Sequence, residues 1–107
     1  MSSGENASAT RFGFVAAERP DFAEAFSNFF RASYNPAEPV LDKKVRILIY
    51  LALLASQGAE HAFRAHLRDA AEEGISQAEI LEAMLIAIPA VGYTPVMNTV
   101  GALTEYP

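Results

Sequence analysis

The sequence predicts an all-α fold, a bundle of about five helices. Apolar residues recur at the helical period in successive segments, no segment shows the alternation of a β-strand, and prolines or glycines separate the segments. The chain has 107 residues, 51% of them hydrophobic, which favours one globular domain. We expect a helical domain over residues 18–107, preceded by a flexible N-terminal segment over residues 1–17.

The first predicted helix begins just after Pro20 and ends near residues 35–36, where Asn-Pro stops it. Its apolar face carries Phe22, Phe26, Phe29 and Phe30. This spacing places the four rings on one side of the helix, and we predict that the stripe is part of the core.

The second predicted helix begins near Asp42 and continues through residues 47–55, which are apolar apart from the hydroxyl of Tyr50. A helix that is apolar on all sides lies at the centre of a domain or in an interface. A third helix follows over about residues 59–73, and Gly74 stands in the position that commonly ends a helix.

The last two helices have clear start and stop signals. Ser76 and Glu79 have the spacing of a capping box, which predicts the start of the fourth helix. Pro89 should end or kink that helix. Thr94-Pro95 predicts the start of a fifth, with Thr94 as the N-cap and Pro95 as the first helical residue.

Charge and composition exclude several classes of protein. The chain has 8 basic and 13 acidic residues, a net charge of −5, and no basic run, which argues against binding to nucleic acid or to an anionic membrane surface. The longest apolar run is far shorter than the roughly 20 residues that span a bilayer. The first ten residues lack the pattern of a secretory signal, so we expect the protein in the cytoplasm.

The chain contains no cysteine, so it cannot form a disulfide, a thiolate nucleophile or a zinc-thiolate site. A domain of this size buries only about two thirds of the surface of its unfolded chain. Further burial by self-association would stabilise it, and we expect an oligomer.

Two histidines, His61 and His66, are candidates for chemistry. They are five residues apart and therefore about 140° apart around a helix, so they cannot bind one metal ion from a single helix. No metal or nucleotide motif is present, and we expect neither a metal nor a cofactor. A metal shared between subunits at a symmetry axis is the minor alternative.

His66 lies on the apolar face of the third predicted helix, where an imidazole needs a hydrogen-bond partner. It is either a satisfied core histidine or a reactive group, and periodicity alone favours the first interpretation. Glu60 is either a solvated carboxylate at the helix start, within reach of Arg64, or a functional group. Arg46 can equally be an ordinary charged helix end.

Residues 41–103 resemble the carboxymuconolactone decarboxylase and alkylhydroperoxidase-D-like superfamily. The resemblance is carried in order by the helix start at 41–46, the apolar helix, Glu60-His61, His66, the capping box at 76–79 and the turn at 92–95. It implies an alkylhydroperoxidase-D-like helical fold that assembles as a homotrimer or homohexamer, with sites near the subunit interfaces.

The peroxidase branch of that superfamily uses a Cys-x-x-Cys pair followed by a histidine. On this chain the two cysteine positions fall on Ala59 and Ala62, the histidine on His66 and an associated glutamate on Ile47. Alanine cannot replace a dithiol that is oxidised and reduced again, so a thiol peroxidase mechanism is excluded.

The decarboxylase branch also lacks the dithiol, and its resemblance implies roles for five residues. His66 would be the general acid or base that protonates the dienolate left when carbon dioxide leaves an unsaturated lactone acid. Glu60 would orient the imidazole or relay the proton, and His61, retained from the family motif, would belong to the same catalytic group. Arg46, with Tyr50, would bind the substrate carboxylate.

Two functions are therefore kept. The first is cofactor-free acid-base chemistry, decarboxylation or proton transfer, on a small organic acid or lactone. The second is a non-catalytic oligomeric binding or scaffold protein of the same superfamily, which can carry a peroxiredoxin-type family label. The alanines at 59 and 62 and Ile47 favour the second, whereas His66 favours the first.

Overall fold

The computed structural model describes residues 3–107, with side chains from residue 11 onward. Within this range the chain forms six helices and no strand. The helices are α1 (Ser3–Glu18), α2 (Pro20–Tyr34), α3 (Lys43–Ser56), α4 (Glu60–Glu72), α5 (Gln77–Val91) and α6 (Tyr93–Thr104). The all-α prediction is confirmed, but the count of about five helices is wrong.

The additional helix is α1. It covers most of residues 1–17, for which the sequence predicts a flexible segment. Residues 1 and 2 of that segment lie outside the described range. The first eight residues of the segment include serine, glycine and asparagine, which are weak helix formers, and show no regular apolar face. In the structure α1 packs against α4 and α2. Its helical state therefore depends on tertiary contact, which local sequence does not reveal.

The core lies among the four C-terminal helices, with α3 at its centre against α4, α5 and α6. The largest fully buried side chains are Phe63, Ile47, Leu51, Ile80, Met84, Val96 and Thr99. The Thr99 hydroxyl is satisfied by donating to the Val96 carbonyl at 2.7 Å. None of the described helices is long and apolar enough to cross a membrane.

The predicted helix signals have mixed outcomes. The capping box is confirmed, because the Ser76 hydroxyl accepts from the Glu79 N–H at 3.1 Å and the Glu79 carboxylate accepts from the Ser76 N–H at 2.9 Å. Helix α5 continues past Pro89 to Val91, since a proline in the last turn removes only one bond near the helix end. Helix α6 begins at Tyr93, so the predicted cap at Thr94 is wrong.

The prediction that the phenylalanine stripe of α2 belongs to the core is also wrong. Phe22, Phe26 and Phe29 are 53%, 43% and 67% exposed, and only Phe30 is half-buried. The rings follow one another along the helix, with the centroids of Phe26 and Phe30 6.2 Å apart. Three of its rings, those of Phe26, Phe29 and Phe30, form one wall of a cavity because α3 does not close against them.

Candidate functional site

A cavity of about 570 Å³ lies between α2, the connector over residues 35–42 and one face of α3. Its lining residues are Phe26, Phe29, Phe30, Ser33, Tyr34, Pro36, Pro39, Val40, Leu41, Arg46, Ile49, Tyr50 and Leu53. Five of these are aromatic and one is charged. A mostly apolar pocket of this size with few polar groups is typical of a small-molecule site.

The periodicity of α3 explains which of its residues reach the cavity. Arg46, Ile49, Tyr50 and Leu53 follow the spacing i, i+3, i+4, i+7 and therefore share one face. The neighbouring face, which carries Leu51, is buried in the core. The structure thus brings together Arg46 and Tyr50, the two residues predicted to bind substrate.

The guanidinium of Arg46 links three parts of the chain. Its Nε donates to the Leu41 carbonyl at 3.1 Å, and its Nη1 donates to the Tyr34 carbonyl at 3.0 Å and to Oδ1 of Asn35 at 3.1 Å. These bonds fix the end of α2 and the connector to α3. All three acceptors are neutral, and among residues 11–107 no carboxylate lies within ion-pair distance of Arg46.

His66 is half-buried on α4 and held in one orientation. Its Nδ1 lies 2.9 Å from the Ala62 carbonyl oxygen, which can only accept, so Nδ1 carries the hydrogen. In the neutral ring Nε2 then bears the free lone pair. Nε2 makes no hydrogen bond to any of the described side chains.

Aromatic rings surround the imidazole. The centroid of the His66 ring lies 4.7 Å from that of Tyr50 and 5.8 Å from those of Tyr34 and Phe30. Those three rings line the cavity, whereas His66 does not. The imidazole therefore lies one ring layer behind the cavity wall.

Tyr34 and Asp69 are functional candidates that sequence reasoning missed. The Tyr34 hydroxyl donates to Oδ2 of Asp69 at 3.1 Å, across 35 positions of the chain. Burial, with the charge of Asp69, raises the pKa of Tyr34 well above its usual range, and burial also raises the pKa of Tyr50. Both phenols therefore keep their protons. Asp69 follows His66 by three residues on α4, the one local signal that could have indicated it.

Glu60 and His61 lie elsewhere on α4. Both are exposed at its start, and Glu60 pairs with Arg64 at 3.6 Å, as the spacing predicts. Arg64 also pairs with Glu105 at 3.3 Å. Within one chain neither Glu60 nor His61 hydrogen-bonds to His66, so the structure does not bring the three predicted catalytic residues together.

No group of three or more histidine, aspartate or glutamate side chains converges as a metal site within the described part of the chain. The donors around the cavity are one guanidinium and hydroxyl groups, which suit an anion rather than a cation.

Comparison with known families matched residues 20–105 to the carboxymuconolactone decarboxylase family. The chain belongs to this family. The match begins at the first residue of α2 and includes all of α3 to α6, so the cavity and the ring cluster around His66 lie within the family domain, and α1 lies outside it. Comparison with curated proteins and with solved structures found no match.

Proposed function

We propose that this carboxymuconolactone decarboxylase family protein binds a small organic acid in the cavity and carries out cofactor-free acid-base chemistry on it. The reaction class is decarboxylation or proton transfer. The observation that carries this proposal is the placement of His66, whose Nδ1 is held by Ala62 and whose ring packs on Tyr50, which lines the same cavity as Arg46.

In the binding step, Arg46 takes the carboxylate of the acid. Its guanidinium has no acidic partner among the described side chains, and a charge-assisted hydrogen bond is about twice as strong as a neutral one. The hydroxyl of Tyr50 is a protonated donor on the same face of α3.

In the chemical step, His66 moves a proton. Loss of carbon dioxide leaves the electron pair of the broken C–C bond on the substrate as a dienolate. The imidazolium form of His66 gives its Nε2 proton to that carbanion and becomes neutral, and water restores the proton. Because Tyr50 lies between His66 and the cavity, this step requires the Tyr50 ring to turn aside when the ligand binds.

The test is an activity assay with a panel of lactone acids and keto acids. We expect His66→Phe, which keeps an aromatic ring in the cluster, to lower kcat by about 10² to 10⁴, the contribution typical of general acid-base catalysis. Thermal unfolding of the same variant checks that the fold is intact. His61→Ala and Glu60→Gln then show whether these two residues act with His66 or only belong to the exposed start of α4.

One observation favours the second function, a binding protein without catalysis. His66 does not line the cavity, and its hydrogen bond goes to the main chain. If the protein binds organic acids but wild type and His66→Phe give equal rates, the binding function is the correct one.

We also propose that the protein assembles with itself, as a homotrimer or homohexamer. Helices α3 and α5 leave large apolar side chains exposed outside the cavity, among them Val45, Leu85 and Ile86, the last of which is 71% exposed. Such a surface is typical of an interface. Light scattering on wild type and on Ile86→Lys tests this, since a charge in the interface should shift the mass toward the monomer, and a monomeric wild type would contradict the proposal.

A further inference from the structure

The cavity between α2 and α3 has a single charge. Arg46 is its one ionic side chain, and the other lining groups are apolar, phenolic or a serine hydroxyl. A ligand that fills the cavity can therefore have only one ionised group compensated by the chain, because an ion placed against apolar side chains loses part of its hydration without gaining a partner.

The remaining donors of Arg46 define what that ionised group can be. A guanidinium has five N–H donors, and three of them are bound to Leu41, Tyr34 and Asn35. The two left are both on Nη2, and they have no partner among the described side chains. Because Nε and Nη1 are occupied, a carboxylate cannot take the usual two-nitrogen fork and binds end-on to Nη2 alone. The site thus holds one carboxylate.

The rest of the cavity selects the body of the ligand. Five aromatic rings form its walls, and an aromatic ligand packs on such rings in the offset or edge-on arrangements that they prefer. Leu53, seven residues after Arg46, lies on the same helix face about 10 Å along α3. The end of the cavity away from Arg46 is therefore apolar.

We infer that the ligand of this site is a monocarboxylic acid with an aromatic or similarly flat apolar body, and that a second carboxylate at the far end of the molecule is rejected. This inference rests on the proposed function, of which it specifies the substrate class. According to this inference, the protein selects among organic acids by the number of their carboxylates rather than by their overall size.

Isothermal titration calorimetry with three matched probes tests the inference. The probes are trans-cinnamate, its neutral analogue cinnamamide, and 4-carboxycinnamate, which adds a second carboxylate at the opposite end. We expect cinnamate to bind at least about tenfold more tightly than either of the others, because one lacks the charge for Arg46 and the other places a charge beside apolar side chains.

A gain-of-function variant sharpens the test. Leu53→Lys puts a second cation at the apolar end, at a position that is 53% exposed. We expect it to raise the affinity for 4-carboxycinnamate relative to cinnamate by about tenfold. Leu81→Lys on α5, outside this cavity, adds the same net charge and serves as the control.

The outcomes separate the inference from the function on which it rests. Wild type that binds 4-carboxycinnamate as tightly as cinnamate overturns the inference and leaves organic acid binding intact. Wild type that binds cinnamamide as tightly as cinnamate also overturns it, because Arg46 then makes no favourable interaction with the ligand's charge. If none of the three probes binds but a lactone or keto acid is turned over with dependence on His66, the inference alone fails. If neither binding nor turnover is measured, the proposed function fails with it.

Discussion

The core of α3 to α6 and the cavity between α2 and α3, here called the cleft, are built from the same kinds of residue. They differ in how far the neighbouring helices enclose them. Phe63 in the core is fully buried, whereas Phe29 in the cleft is 67% exposed. Four helices converge on the core, while α2 contributes its aromatic stripe to a cleft that is open on one side. Apolar periodicity therefore identifies a helix face that can be buried. Whether that face becomes part of the core or lines a cavity depends on how the neighbouring helices pack against it.

The largest effect that distinguishes the two regions is truncation of a ring. We expect Phe63→Ala to lower the free energy of unfolding by about 3 to 5 kcal/mol, because it removes transfer free energy and leaves a cavity in a closed core. Phe29→Ala should lower it by less than about 1 kcal/mol, since most of that ring already contacts water. Chemical denaturation of both variants measures the difference, and equal losses would show that the cleft is packed as tightly as the core.

A smaller effect is expected from a matched pair of tyrosines. In the core the Tyr106 hydroxyl donates to the Ile75 carbonyl at 2.6 Å, and in the cleft the Tyr34 hydroxyl donates to Asp69. Tyr106→Phe leaves a buried carbonyl without its partner and should cost about 1 to 3 kcal/mol. Tyr34→Phe should cost about 1 kcal/mol or less, because the half-buried Asp69 can be solvated instead. A larger loss for Tyr34→Phe would indicate that the cleft is the less solvated region.

The smallest effect is a pH dependence at the α3–α5 contact. Lys44 pairs with Glu79, and this bond, with the Ser76 N–H, lowers the pKa of Glu79 from 4.5 to about 2. A depressed carboxyl pKa stabilises the fold above pH 4.5, and that stabilisation is lost as the pH falls toward 2. We therefore expect Glu79→Gln to melt at a lower temperature than wild type at pH 7, with the difference disappearing near pH 2.

The control for this measurement is Glu24→Gln, which removes an exposed carboxylate that forms no ion pair among the described side chains. It should leave the melting temperature unchanged across the same pH range. A difference between Glu79→Gln and wild type that persists below pH 2 would mean that the carboxylate acts through packing rather than charge.

The sequence predicted features that depend on neighbouring residues better than features that depend on contacts between distant parts of the chain. The capping box of Ser76 and Glu79 and the pairing of Glu60 with Arg64 depend on residues three or four apart, and both are present. The stripe of α2 was assigned to the core because periodicity identifies an apolar face without showing what covers it. Helix α1 was missed because its stability comes from contact with α4 and α2.

The same distinction applies to the candidate site. Arg46 and Tyr50 share a helix face, so their presence in one cavity follows from their spacing. The bond between Tyr34 and Asp69 joins two residues that are 35 positions apart in the chain, and no local pattern predicts it. The roles of His66, Glu60 and His61 in catalysis remain predictions that the variants described above test.

The anchor of His66 has a consequence for how the protein tolerates change. The imidazole is aimed by the main-chain oxygen of Ala62 and not by another side chain. A carboxylate that orients a histidine is lost by one substitution, but a peptide carbonyl persists whatever side chain occupies position 62, provided that α4 stays helical. The orientation of the imidazole is therefore set by the backbone of α4. The side chains around His66 can be replaced without rotating the ring.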